Sequence, residues 1–187
     1  MFEEIIKHYP DFPKPGIDFI DVLPFMQNRK AFAEAVNEID RLCTAPNVAT
    51  VEARGFLFAA PLLILGGGVQ TIVPIRKKGK LPHAEGDLQR VLIEKEYGSD
   101  EVFYRRSDLQ TCVSTTDTIE LCLIDDLLAT GGTALGIAQA LNGEVVGSKR
   151  VHVREFIFLV ELPALGGRAL LEPLAPVHSL LSIEGVK

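Results

Sequence analysis

The stretch Cys122-Leu-Ile-Asp-Asp-Leu-Leu-Ala-Thr-Gly-Gly-Thr-Ala134 decides how this chain folds. An apolar run, Ile119 to Ile124, ends in two adjacent carboxylates, Asp125 and Asp126. Ala129-Thr130-Gly131-Gly132-Thr133 follows, and then Leu135, Ile137, Ala138 and Leu141 recur at helical spacing. Strand, acidic pair, small-residue loop and helix start are the parts from which an α/β sheet builds a sugar-phosphate site. Glycines let the backbone approach a ligand closely, and the unpaired N–H groups of a helix N-terminus favour an anion. Asp125 and Asp126 repel that anion; they suit neutral hydroxyls or a hydrated cation. A ligand with a phosphate at one end and a diol at the other satisfies both halves, which describes a ribose 5-phosphate. A glycine pair between strand and helix is by itself ordinary turn chemistry, and Asp is a common N-cap. The acidic pair and the apolar strand together set this loop apart. Gly143 to Lys149 has the wrong spacing for a P-loop and reads as a turn.

Composition narrows the setting. At 187 residues, 47% hydrophobic and 24% charged, the chain is expected to form one globular domain, residues 1–187. A net charge of −6 argues against nucleic acid as the main partner. Cys43, Cys112 and Cys122 are odd in number and scattered, so no disulfide framework is expected and a reducing, cytoplasmic location is. Cys122, inside the apolar run, reads as core. The four His show no ligand spacing, so a zinc site is not expected. Met1 to Lys7 does not read as a signal peptide, and Leu57 to Val69 is too short and too broken to span a bilayer.

Helix and strand patterns alternate, which predicts an α/β fold: a mostly parallel central sheet with helices on both faces. A helix is expected over Lys30 to Cys43, strands over Val48 to Val51 and Thr71 to Ile75, and a helix over Phe56 to Leu65 that Pro61 kinks or ends early. Arg76 to Arg90 reads as a mobile polar loop. Val91 to Glu96 and Glu101 to Arg105 read as strands, with a turn over Tyr97 to Asp100. Val153 to Val160 and Leu165 to Leu171 complete the pattern as strand and helix.

Three further segments collect charge near glycine. Glu52-Ala-Arg-Gly55 lies where a strand passes into a helix, and Arg54 there can make a forked contact to a second phosphate. Arg76-Lys-Lys-Gly-Lys80 puts four cations within five residues of an otherwise acidic chain. Glu94-Lys-Glu-Tyr-Gly98 offers a carboxylate and a ring that could close over a planar ligand, or serve as ordinary strand ends. A 5-phosphate, a ribose diol and a second, highly anionic group are all present in phosphoribosyl pyrophosphate.

At this point the chain resembles the type I phosphoribosyltransferases and, within them, the adenine phosphoribosyltransferase family. The resemblance rests on Asp11 to Phe19, Glu52 to Phe56, Arg76 to Pro82, Glu96-Tyr-Gly98 and Asp125 to Thr133, in that order. It implies Mg²⁺-dependent purine salvage: adenine plus phosphoribosyl pyrophosphate gives AMP plus pyrophosphate, with the metal carried by substrate phosphates and no protein ligand of its own. It implies that Ala129, Thr130, Gly131, Gly132 and Thr133 cradle the 5-phosphate and that Asp125 and Asp126 hold the ribose hydroxyls. Arg54, Lys77, Lys78 and Lys80 would take pyrophosphate, and the Arg54 loop often carries a non-proline cis peptide. Glu96 would be the acid/base, and a small N-terminal hood with Asp18 and Phe19, joined by Tyr97, would hold adenine. A homodimer is implied, without nucleic acid or membrane. Two departures bear on the base: Ile20 stands where the family commonly has Arg, and Asp18, expected to cap a turn, replaces an apolar residue. The alternatives are the same chemistry on guanine, hypoxanthine or xanthine, or a regulator that binds phosphoribosyl pyrophosphate.

Overall fold

The structure is a computed structural model that describes residues 2–95 and 98–185. Two short strands open it, β1 (Lys7–Pro10) and β2 (Asp18–Asp21), paired antiparallel as a separate small sheet. A 3-10 turn over Leu23–Gln27 leads to α1 (Arg29–Leu42), then β3 (Asn47–Val51), α2 (Arg54–Ala59) and α3 (Leu62–Leu65). Next come β4 (Thr71–Lys77), β5 (Leu88–Lys95), β6 (Gly98–Arg105) and α4 (Arg106–Gln110). The chain continues through β7 (Thr118–Leu128), α5 (Gly132–Asn142), β8 (Val145–Val146), β9 (Lys149–Glu161), α6 (Gly167–Leu171) and β10 (Val177–Ser182).

The large sheet runs β10-β9-β7-β3-β4-β6-β5, with β8 paired to β9. Strands β10, β9, β7, β3 and β4 are mutually parallel, and the β5–β6 hairpin is appended antiparallel through β4. The expected architecture is therefore present. Successive side chains of a strand point to opposite faces, and the core divides accordingly. Ala49, Leu121, Leu123, Phe156 and Phe158 pack with Ile137, Ala138 and Leu141 of α5. Val48, Cys122, Ile124, Ile157 and Leu159 pack with Ala35, Val36 and Ile39 of α1 and with Phe58 of α2. Asn28 caps α1 by accepting from Ala31 N at 3.1 Å, satisfying one of the helix's orphan donors.

Several boundaries differ from expectation for local reasons. The acidic pair lies inside β7 rather than past its end, because the ladder to β9 continues through Asp125↔Phe158 to Leu128↔Glu161. Pro61 splits the expected helix into α2 and α3. Residues 76, 77 and 88–90 belong to β4 and β5, and the segment between them is anchored. Arg76 Nη1 donates to Lys80 O (2.8 Å), and Asp87 accepts from Ser107 N (2.8 Å) and Ser107 Oγ (2.7 Å). The hairpin pairs as far as Lys95↔Gly98, so residues 98–100 are strand rather than turn. Asp18 caps no turn: it lies in β2, on the face opposite Phe19, and its Oδ2 is 2.9 Å from His8 Nδ1. Gly147 makes the expected turn between β8 and β9.

Candidate active site

Because β3, β4, β7 and β9 run parallel, the segments after Val51, Lys77, Leu128 and Glu161 gather at one edge of the sheet, where open α/β sheets bind ligands. The loop after β7 contains Gly131 at φ +79°, a left-handed conformation that admits glycine readily, and Gly131 is the N-cap of α5. No side chain caps that helix. Its first-turn N–H groups, which a helix cannot pair from within, are therefore directed at whatever fills the loop. Asp125, residues 127–134 and Phe158 line a cavity of about 110 Å³ there. A larger groove of about 570 Å³ lies elsewhere, between Phe2, α1 and β10, and is lined by none of the residues of the acidic pair or the loop after β7.

Asp126 is buried and Asp125 half-buried beside it. Burial, reinforced by the neighbouring Asp126 charge, pushes the Asp125 carboxyl well above the usual range. Burial also raises Asp126, against the opposing pull of the Arg54 guanidinium. Arg54 Nε lies 2.9 Å from Asp126 Oδ2, an ion pair rather than an aligned hydrogen bond. Its Nη1 donates to Ile20 O (3.4 Å), and the guanidinium sits 5.2 Å from the centre of the Phe19 ring. Phe19 in turn meets Phe12 edge-on at 5.2 Å. One arginine thus links the acidic pair to the two-stranded hood.

The turn before α2 explains how Arg54 is delivered. The Glu52–Ala53 peptide is cis. Glu52 accepts from Arg76 Nε (2.5 Å) and Lys77 N (3.1 Å). Burial alone would raise the Glu52 carboxyl, but these donors outweigh it and hold it below the usual value. Gly55 follows; a Cβ there would fall 2.7 Å from Thr50 Oγ1 and 3.0 Å from Asp125 Oδ1. The missing side chain lets α2 lie against the acidic end of β7.

The structure therefore brings together Asp125, Asp126, Ala129 to Thr133, Arg54 and Phe19. Lys77, Lys78 and Lys80 are exposed at the end of β4 and in the turn after it, with Lys78 Nζ 3.9 Å from Glu101 Oε2. Glu96 and Tyr97 lie outside the described residues. Ile20 is 1% exposed: it points into the core with Phe25 and Phe58, so it is a packing residue rather than a lost donor at the base site. Gly55 and Gly167 are the site neighbours that sequence reading missed. Gly55 sits in a segment singled out for its arginine, whereas nothing local marks Gly167.

Cys43, Cys122 and Glu155 offer ligand atoms within 4.8 Å of one another. Glu155 already accepts from Thr44 N, Thr44 Oγ1 and Ala45 N, and Cys122 is fully buried with its thiol raised by burial and by the adjacent Cys43. These are core groups, as expected of Cys122.

No protein-family model matches the chain. It is, however, 40% identical over 192 aligned residues to adenine phosphoribosyltransferase of Rhizobium johnstonii, covering 96% of this chain and 93% of the relative. The chain belongs to the adenine phosphoribosyltransferase family. Among solved structures, the family enzyme of Thermoanaerobacter pseudethanolicus superposes with a TM-score of 0.80 at 34% identity, over 97% of this chain and 98% of the other. The Saccharomyces cerevisiae enzyme, solved with an imino-altritol bisphosphate and adenine, gives 0.73 at 33% identity, over 96% of each.

Proposed function

We propose that this chain catalyses purine salvage by transferring the 5-phosphoribosyl group of phosphoribosyl pyrophosphate to adenine, giving AMP and pyrophosphate. The observation that carries the reading is the buried acidic pair of β7 set directly before an uncapped α5, in a chain of this family. The main-chain N–H groups of the loop, Ala129 to Thr133, hold the 5-phosphate. Asp125 and Asp126 accept from the ribose 2- and 3-hydroxyls, whose arrival relieves the desolvation that raises both carboxyls. Arg54 keeps Nε on Asp126 and has further guanidinium donors for pyrophosphate. Lys77, Lys78 and Lys80 add positive charge at the same edge. Phe19 offers its ring to adenine in the hood, with backbone groups around Asp18 and with Tyr97 completing the contact.

The reaction separates pyrophosphate from a ribose carbon that becomes oxocarbenium-like, so the useful groups are those that stabilise the leaving anion and keep water away. Glu96 assists removal of the proton from the adenine imidazole as N9 attacks. A magnesium ion would be carried by the substrate phosphates with no protein ligand of its own, while Asp125 and Asp126 take the ribose hydroxyls and Arg54 stays paired with Asp126. When bound, Mg²⁺ supplies charge neutralisation to the departing pyrophosphate.

The same reading includes a homodimer in the cytoplasm. Its support is the apolar face of α2 and α3, where Leu57, Leu63, Leu65 and the 86%-exposed Ile64 stand in solvent, and three free cysteines. Among the described residues no helix is long and apolar enough to cross a membrane.

The test is a base panel: adenine, guanine, hypoxanthine and xanthine, each offered with phosphoribosyl pyrophosphate and Mg²⁺. Adenine should give the highest kcat/KM. Preference for another base overturns the adenine assignment.

A further inference from the structure

We infer that Gly167, at the start of α6, is a positioning residue for the 5-phosphate loop. Its missing side chain is what allows residues 129–131 to seat where they do. The inference rests on the sugar-phosphate site proposed above. Gly167 is 36 residues beyond Gly131 in sequence, yet the two backbones touch. A Cβ on Gly167 would fall 2.3 Å from Ala129 O, 2.7 Å from Leu128 Cδ1 and 3.0 Å from Gly131 N. From the other side, a Cβ on Gly131 would meet Gly167 O at 3.0 Å and Gly167 Cα at 3.1 Å. The loop cannot relax by rotating a side chain, because two of the three atoms facing Gly167 are main chain.

The backstop is also held firmly. Arg168 donates from Nε to Glu161 Oε1 (3.2 Å), from Nη1 to Val177 O (2.7 Å) and from Nη2 to Ser179 Oγ (3.0 Å), and also pairs with Glu161 Oε2. Burial would raise the Glu161 carboxyl, but Arg168 and Ser179 overcome that and hold it low, so the pair stays charged. On the opposite side Leu162 N donates to Leu128 O at 2.9 Å, fastening β9's end to β7's end. Helix α6 therefore cannot retreat without breaking an ion pair to β9 and hydrogen bonds to β10. The strain of any added atom at position 167 must go into the loop. Relief of the 2.3 Å contact requires a shift of about 1 Å, enough to misalign main-chain donors by the amount that commonly costs on the order of 100-fold in a positioned site.

The experiment uses the full-length chain and reads binding of ribose 5-phosphate by calorimetry, together with KM for phosphoribosyl pyrophosphate and kcat. Gly167→Ala should weaken ribose 5-phosphate binding and raise that KM by roughly 10- to 100-fold, with kcat at saturation changed far less. Gly166→Ala is the control. It lies at φ +72° with nothing within 4 Å of its Cβ, so it should lower the melting temperature and leave both constants at the parent's values. Parent-like binding in Gly167→Ala, or an equal loss in Gly166→Ala, overturns the inference. If Gly167→Ala does not fold, Arg168→Ala decides. A raised KM with retained kcat supports the backstop, and a parent-like KM overturns it. A parent protein that binds no ribose 5-phosphate overturns the proposed function as well; a binding parent with an indifferent variant overturns this inference alone.

Discussion

Arg54→Ala tests the electrostatic account of the site through stability alone, before any substrate is added. In the folded protein Arg54 Nε is 2.9 Å from Asp126 Oδ2; the arginine side chain is 28% exposed and the aspartate 7%. Removing one partner of a buried pair costs about 3–5 kcal/mol when the other charge is stranded. Here water reaches the arginine and Asp126 can bind a proton, so the expected loss at pH 8 is smaller, about 2 kcal/mol. For a chain of this length that lowers Tm by roughly 4–8 °C. The dependence on pH follows from the direction of the shift. Asp126 is already raised in the folded state, so its contribution favours folding most below the ordinary carboxyl value, about 3.9, and is lost as pH rises through the folded value. Arg54 opposes that rise, and deleting it moves the folded value higher still. The deficit of the variant should therefore widen with pH, from under about 1 kcal/mol at pH 5 to the full loss at pH 8. Urea denaturation at both values measures it. Asp126→Asn in the same chain should recover much of the loss, since no charge is then stranded. A deficit that is the same at both pH values, or single losses that add within about 0.5 kcal/mol in the double variant, refutes the reasoning.

Three other outcomes are expected. Gly55→Ala places a Cβ 2.7 Å from Thr50 Oγ1, 3.0 Å from Asp125 Oδ1 and 3.2 Å from Ile124 O; it should cost about 1–3 kcal/mol and weaken ribose 5-phosphate binding. An unchanged denaturation midpoint contradicts that close approach. Asp125→Asn removes a carboxyl raised by burial and by Asp126, so it should stabilise the substrate-free protein at pH 8 by about 0.5–2 kcal/mol while weakening sugar binding. The gain should shrink as pH falls and the parent's raised carboxyl takes up its own proton, and the opposite trend counts against the assignment. Glu96→Gln should slow turnover by about 100-fold or more with ribose 5-phosphate binding retained, and an unaltered single-turnover rate removes Glu96 from the mechanism.

The site was legible where its signals are local. An apolar run, an acidic pair and a glycine loop before a helical repeat are contiguous, and turn and cap chemistry act over a few residues. The end of β7 is not legible in the sequence, because charge normally marks a strand's exit. Here the ladder to β9 runs on past the acidic pair, although pairing with β3 stops at Ile124. Strand β1 gave no alternation to read, since Lys7–Pro10 is exposed throughout and ends in proline. Helix α4 spans five residues, too few for a period to show. In sequence Ile20 reads as a missing hydrogen-bond donor, but register in β2 turns it inward; one strand's pairing decides that, and pairing is a tertiary fact. The contact of Gly167 with Ala129 and Gly131 is likewise invisible until β9 returns beside β7.

The small sheet of β1 and β2 shares no ladder with the large one. Its attachment runs through side chains such as Ile20 and through the bond from Arg54 to a single carbonyl. On the proposed function, the hood's share of the base site and the loop that holds the sugar end lie in separate stretches of the gene, bridged by Arg54. Variation within residues 7–21 would then bear on the base while leaving the amide lattice of residues 129–133 intact.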